Sequence, residues 1–138
     1  MEKCLEFLIE LSGNSQTHVF SHKYFFRHTA ALSEDICLNS DYLALLSQIN
    51  LAQAQECILE KSVLDHKKSI IIVKVAAQIV EFYKQVIVKL EGAKTSLKKS
   101  CGNDYIKIIS KYSHYKLLFY NAVAQFFMGV TCEEESKW

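Results

Sequence analysis

Along most of this chain, apolar residues recur at spacings of three and four, the period of a helix that buries one side. The longest such segment is Leu51 to Leu90, LAQAQECILEKSVLDHKKSIIIVKVAAQIVEFYKQVIVKL. A polar corner, Asp65 to Lys68, divides it into two helices. At about 100° per residue, Ile72, Ala76, Ile79, Tyr83, Val86 and Leu90 form one continuous stripe on the second of these. Val73, Ala77, Val80 and Ile87 widen that stripe, and Lys74, Gln78, Glu81, Gln85 and Lys89 form a narrow polar stripe opposite. Ile71, Val75 and Phe82 flank the polar stripe, where a surface helix carries charge. Two readings follow. The helix sits in the middle of a stack and is covered on several sides, or Ile71 and Val75 edge a groove left for a partner, an apolar patch with a polar rim.

In chain order, Glu2 to Leu11 reads as a short helix with Cys4, Leu5, Leu8 and Leu11 on one side. Gly13-Asn14-Ser15 ends it and caps a second helix from 16 to about 36. After the loop Leu38-Asn39-Ser40, Ser40 or Asp41 caps a third helix, Tyr42 to about Leu64. A fourth runs from the corner to about Glu91. Gly92 to Asp104 reads as a lysine-rich connection of low order, and a fifth helix spans about Tyr105 to Val130. The tail from Glu133 to Trp138 starts another element. Antiparallel helices with short links predict an all-α, solenoid-like helical stack.

Composition sharpens this picture. The chain has 138 residues, half of them hydrophobic, enough for one domain that buries roughly two thirds of its surface. It has no proline and four glycines, so long helices are expected with breaks near Gly13, Gly92 and Gly102. The net charge of +1 and a single arginine, Arg27, argue against a nucleic-acid reader. The charge is uneven. Residues 1–66 hold nine acids against four bases, and residues 67–138 hold twelve lysines against six acids. That lysine excess is either a set of solvated helix faces or a face for acidic lipid or an acidic partner.

Candidate chemistry is sparse. The five cysteines, at 4, 37, 57, 101 and 132, make no C-x-x-C pair and read as reduced, half-buried thiols, with Cys57 a small core residue. Nothing at the start resembles a signal peptide, because Glu2, Glu6 and Glu10 interrupt it, and no apolar run reaches the roughly 18 residues that span a bilayer. His18 and His22 stand one turn apart, but Val19 replaces the glutamate of a zinc-protease helix and spacing offers no third ligand, so a surface or satisfied pair is expected. A tyrosine-phosphatase loop needs cysteine six residues before arginine; Arg27 has none, and Cys101 is followed at that spacing by Lys107. Tyr83, Tyr105, Tyr112, Tyr115 and Tyr120, and likewise Phe119, Phe126, Phe127 and Met128, read as packed helix residues. Catalysis, metals and cofactors are not expected.

Gln53-Ala54-Gln55-Glu56-Cys57, followed by Glu60-Lys61-Ser62, Leu64-Asp65, Lys68-Ser69, Ala77-Gln78 and Tyr83-Lys84, resembles the central helices of a BRO1 domain. Phe119 to Gly129 resembles the next long helix, and Cys4 to Gly13 and Tyr24-Phe25-Phe26 the two before. The likeness is nearer to the His-domain tyrosine phosphatase branch than to Alix. It implies a tetratricopeptide-like core of a truncated BRO1 domain, residues 1–138 being its central helical portion. Such a fragment is expected to expose apolar faces and to associate when made alone. The resemblance further implies a cytoplasmic, endosome-associated module of the ESCRT pathway. Its partner would be the C-terminal amphipathic helix of a Snf7-type ESCRT-III subunit. The apolar groove residues of the family fall on Ile58, Ile71 and Val75. An acid and a lysine at the polar fringe fall on Asn14 and His18, a departure from the family's charges.

Overall fold

The computed structural model describes residues 39–137, which form four helices. They are α1 (Ser40–Leu64), α2 (Ser69–Gly92), α3 (Lys94–Cys101) and α4 (Asn103–Ser136). Among these residues the fold is all-α, an antiparallel helical stack. The expected helices over Glu2 to Leu11 and 16 to 36 lie outside the described residues.

The apolar spacing of α2 makes it the centre of the stack. Ile72, Ala76, Ile79, Tyr83, Val86 and Leu90 are all buried, as are Val73 and Val80 on the widened side. Ala77 is exposed and Ile87 half-buried, while Lys74, Gln78, Glu81, Gln85 and Lys89 stand in solvent. Both α1 and α4 pack along α2, and α3 leans on the start of α4. From α1 come Tyr42, Leu45, Ile49, Ala52 and Leu59; from α4 come Tyr105, Ile106, Ile109, Tyr120, Val123 and Phe127. Burying each large aliphatic or aromatic side chain stabilises the stack by about 1.5–3 kcal/mol before the entropy of ordering is set against it.

The α1–α2 corner closes in a Schellman arrangement. The His66 amide donates to the Val63 carbonyl and the Lys67 amide to the Ser62 carbonyl, each at 3.0 Å. His66 takes the left-handed position with φ 50°, where glycine is the common choice. At the far end, Gly102 (φ 81°, ψ 164°) turns the chain from α3 into α4, a conformation open only to glycine.

Three boundaries differ from the sequence reading. The stretch 92–104 is not a connection of low order: Lys94–Cys101 is helical because Leu97 is buried and anchors it. The last helix does not stop near Val130. It begins at Asn103 and continues to Ser136, so Glu133 to Ser136 belong to it rather than to a new element. Buried Thr131 holds its hydroxyl on the Phe127 carbonyl, and Glu134 accepts from Ser69 Oγ at 2.8 Å, tying this end to the start of α2. The cap of α1 is Asn39, not Ser40 or Asp41. Its Oδ1 accepts from the amides of Asp41 (2.9 Å) and Tyr42 (3.3 Å). Its amide group donates to Ser96 and Ser100 of α3, so one side chain starts α1 and fastens α3 to it.

Candidate functional site

Ile58, Ile71 and Val75 sit on the hairpin that α1 and α2 form. In an antiparallel pair closed at residues 65–68, Ile58 and Val75 stand at about the same distance from the corner and so lie level across it. Ile71 is one turn nearer the corner. Ile58 is 50% exposed and Ile71 42%, while Val75 is partly buried against the core. Leu51, two turns before Ile58 on the same side of α1, is also exposed, and Phe82, two turns after Val75, is partly buried. Further along the same seam Gln48 Nε2 donates to Gln85 Oε1 at 3.1 Å, joining the two helices. Polar groups surround the apolar residues: the exposed ion pair of Lys61 with Asp65 (3.5 Å), and exposed Lys74 and Gln78. The arrangement presents aliphatic surface with a polar rim. His18 and Asn14, expected at the fringe of this site, lie outside the described residues.

The opposite side of α1 carries a feature that sequence reasoning missed. Glu56 is two residues before Ile58, hence about 200° round the helix, and its side chain is fully buried. Tyr83 of α2 donates its hydroxyl to Glu56 Oε1, and Lys116 of α4 donates to Oε2 at 2.8 Å. The Lys116 ammonium lies 5.5 Å from the Tyr112 ring centre and 5.7 Å from that of Tyr120. Gln53 reaches Tyr112 Oη at 3.4 Å. This cluster joins three helices, and both Gln53 and Glu56 of the Gln-Ala-Gln-Glu motif enter it. Burial first, and the Glu56 carboxylate second, push the Tyr83 and Tyr120 hydroxyls far above the usual tyrosine range. A signal was present: Glu56 and Lys116 each interrupt an otherwise buried line at helical spacing, Ala52-Glu56-Leu59 and Ser113-Lys116-Tyr120.

The remaining candidates separate by burial. Tyr83, Tyr105 and Tyr120 are core residues, Tyr112 is half-buried and Tyr115 is exposed. Phe127 is buried and Phe119 and Phe126 pack against the core, whereas Met128, expected there too, is exposed because it points away from α2. Cys57 is exposed rather than a core residue, because the buried line of α1 passes through Glu56 and Leu59; Cys132 is exposed as well. Cys101 is half-buried, and burial raises its thiol. Among the described residues no three His, Cys, Asp or Glu side chains gather as metal ligands, and no helix is long and apolar enough to cross a membrane.

Comparison with known proteins follows the same lines. The family model of the BRO1-like domain matches residues 4–138. Human tyrosine-protein phosphatase non-receptor type 23 is 36% identical over 102 residues, 73% of this chain and 6% of that protein. The vacuolar protein-sorting protein bro-1 of Neurospora crassa is 30% identical over 101 residues, 73% of this chain and 9% of that protein. Apoptosis-linked gene 2-interacting protein X 1 of Caenorhabditis elegans is 35% identical over 97 residues, 70% of this chain and 10% of that protein. The chain therefore spans a tenth or less of the length of these relatives. No solved structure matches it.

Proposed function

The chain belongs to the BRO1-like domain family, and from that membership we propose that it is a non-catalytic docking module of the endosomal sorting (ESCRT) pathway. Its partner is the C-terminal amphipathic helix of a Snf7-type ESCRT-III subunit. That helix lies in the groove edged by Ile58, Ile71 and Val75, with His18 at the polar fringe, a helix-in-groove mode of recognition. It works on the cytoplasmic side of endosomes. Relatives named for vacuolar protein sorting support the pathway.

The observation that carries the reading is the exposure of Ile58 and Ile71 on facing helices beside half-buried Val75. Full burial of an exposed aliphatic side chain contributes about 1.5–3 kcal/mol, so half-exposed Ile58 and Ile71 each contribute roughly half of that and partly buried Val75 less, before the cost of association. That is the scale of a weak, regulated contact. The test is titration of a fluorescent peptide of the Snf7-type C-terminal helix into the chain and into Ile71→Asp. Saturable binding that the substitution abolishes, with helicity unchanged, is the expected result. Equal affinity for both proteins removes the site.

One observation favours a second surface. Lys98 and Lys99 on α3 are exposed and form no ion pair among the described residues, whereas Lys94 is held by Glu91 at 3.2 Å. An anionic membrane is the partner that such a face fits. Binding to anionic vesicles that vanishes with salt and with Lys98→Glu/Lys99→Glu supports it. Binding indifferent to both lysines discards it.

A further inference from the structure

Helix α1 carries two apolar stripes of the same composition. Leu45, Ile49, Ala52 and Leu59 are buried in the stack. Leu43, Leu51, Ala54 and Ile58 follow the same spacing of three and four, about 160° round the helix, and are exposed. Each stripe holds two leucines, an isoleucine and an alanine. Tyr42 adds to the inner side. On α2 a polar stripe lies opposite the apolar one, so burial alone orients that helix. On α1 aliphatic burial does little to decide which stripe meets the stack.

What distinguishes the two stripes is polar. Glu56 stands in the inner line between Ala52 and Leu59, and its side chain is fully buried. It accepts from the Tyr83 hydroxyl of α2 and, at 2.8 Å, from Lys116 of α4. The Tyr120 hydroxyl is directed to the same carboxylate. Gln48 on one flank of the inner line donates to Gln85 at 3.1 Å, and Gln53 on the other reaches Tyr112 at 3.4 Å.

We infer that the Glu56 cluster, rather than aliphatic burial, selects the stripe of α1 that meets α2 and thereby keeps Ile58 for the partner helix. Glu56, Tyr83 and Lys116 are positioning residues of the groove, a role that rests on the docking function proposed above. Turning α1 half way round exchanges one set of aliphatic residues for an equal set. It also carries Glu56 away and leaves Tyr83 and Lys116 without their acceptor where three helices meet. A buried polar group left unpaired is penalised more than a made pair is rewarded. The cluster therefore acts chiefly against the wrong orientation, as single buried polar residues do when they fix the alignment of paired helices.

The test separates orientation from stability in the 138-residue chain. In Glu56→Met/Tyr83→Phe/Lys116→Met/Tyr120→Phe the carboxylate and the groups around it become apolar at similar volume. Such a replacement is expected to leave the urea midpoint at or above that of the wild type. Affinity for the fluorescent Snf7-type peptide is expected to fall at least about fivefold, the loss when about a fifth of the molecules keep the docking orientation. Glu56→Gln/Lys116→Met retains an acceptor for Tyr83 and is expected to bring affinity back to within about threefold of wild type, although its stability is lower. Residues that merely support the fold would move stability and affinity in the same direction.

Isoleucine methyl NMR with a soluble gadolinium chelate reads the orientation without the peptide. In the wild type the chelate relaxes the Ile58 methyl and spares that of Ile49. In the quadruple variant this contrast is expected to fall at least about threefold. An unchanged contrast, or unchanged peptide affinity, in the quadruple variant overturns the inference. A quadruple variant that fails to fold overturns it too, because the cluster would then hold the fold itself. A wild type that binds no peptide removes the docking reading alone, and the methyl contrast still decides the role of Glu56.

Discussion

Lys116 of α4 places its ammonium 2.8 Å from the carboxylate of Glu56 on α1, beside the central helix α2 that separates their backbones. The carboxylate is fully covered and the lysine retains 14% of its side-chain exposure. Its second oxygen takes the Tyr83 hydroxyl of α2. One buried acid thus fixes how three helices are rotated against one another. Ile58, on the other side of the same turn of α1, is aimed outward by the same constraint.

Removing the cation is expected to cost more than removing the pair. Lys116→Met leaves a buried carboxylate without its counter-charge and lowers stability by an amount near the low end of the about 3–5 kcal/mol typical of such losses, since the lysine is partly wet. Glu56→Gln/Lys116→Met should lose less than the two single variants added together. Urea titration of all four proteins measures the coupling. Simple additivity would show that the contact does not operate as a pair.

High pH should unfold the protein. Burial raises Tyr83, Tyr105 and Tyr120 above the ordinary value of 10.0, with Glu56 assisting at Tyr83 and Tyr120 and Tyr42 at Tyr105. A group raised on folding keeps its proton longer in the folded state. The stabilisation is therefore whole below pH about 10 and is lost as pH climbs above it. Ultraviolet absorbance of tyrosinate, followed with circular dichroism, should show these three ionising only together with loss of helix. Full ionisation at pH about 10 with the helices intact would contradict this.

His66 holds a left-handed backbone at the corner between α1 and α2. That conformation costs a residue with a Cβ about 1–2 kcal/mol, part of which glycine returns as extra freedom in the unfolded chain. His66→Gly is expected to raise stability by about 0.5–1 kcal/mol. At Gly102, with φ 81°, the reverse holds, and Gly102→Ala should destabilise even though a Cβ there meets no atom within 4 Å. Thermal melts of both variants check the opposite signs.

Ser113 is fully buried in α4, and its hydroxyl has no hydrogen-bond partner among the described residues. Leaving a buried hydroxyl unpaired costs about 1–3 kcal/mol, while the methyl of alanine fits the same space. Ser113→Ala is expected to stabilise the protein by about 1 kcal/mol in denaturant titration. A loss of stability instead would mean that the hydroxyl is satisfied in solution.

Periodicity made α2 readable almost residue by residue. Its buried stripe, its polar stripe and the anomalous Ile71 and Val75 all follow from about 100° per residue, because burial on two sides leaves a strong apolar signal. The corner at Asp65 to Lys68 was equally plain, since four polar residues interrupt two apolar runs. The stretch 92–104 was not. Its lysines dominate the composition, and a single residue, Leu97, is fully buried in the core and anchors it as a helix. Asn39 is not legible as the cap for a similar reason. Two neighbours qualified as caps, and what distinguishes Asn39 is its reach to Ser96 and Ser100, about sixty residues away in sequence.

The sequence by itself determined that the described residues are helical, where α1 and α2 lie, which face of the central helix is covered, and to which family the chain belongs. Each of these rests on local spacing or on a motif read along the chain. Only the tertiary structure decided which polar residues go inside. Glu56 and Lys116 stand in line with core residues at helical spacing, but that they pair with each other follows only once α1 and α4 meet beside α2. It also decided that Ile58 and Ile71 stay open while Val75 is half covered, and that Tyr115 and Leu118 face away from the core. Exposure belongs to the packing of whole helices, and a helix carries no record in its own residues of how close its neighbours come.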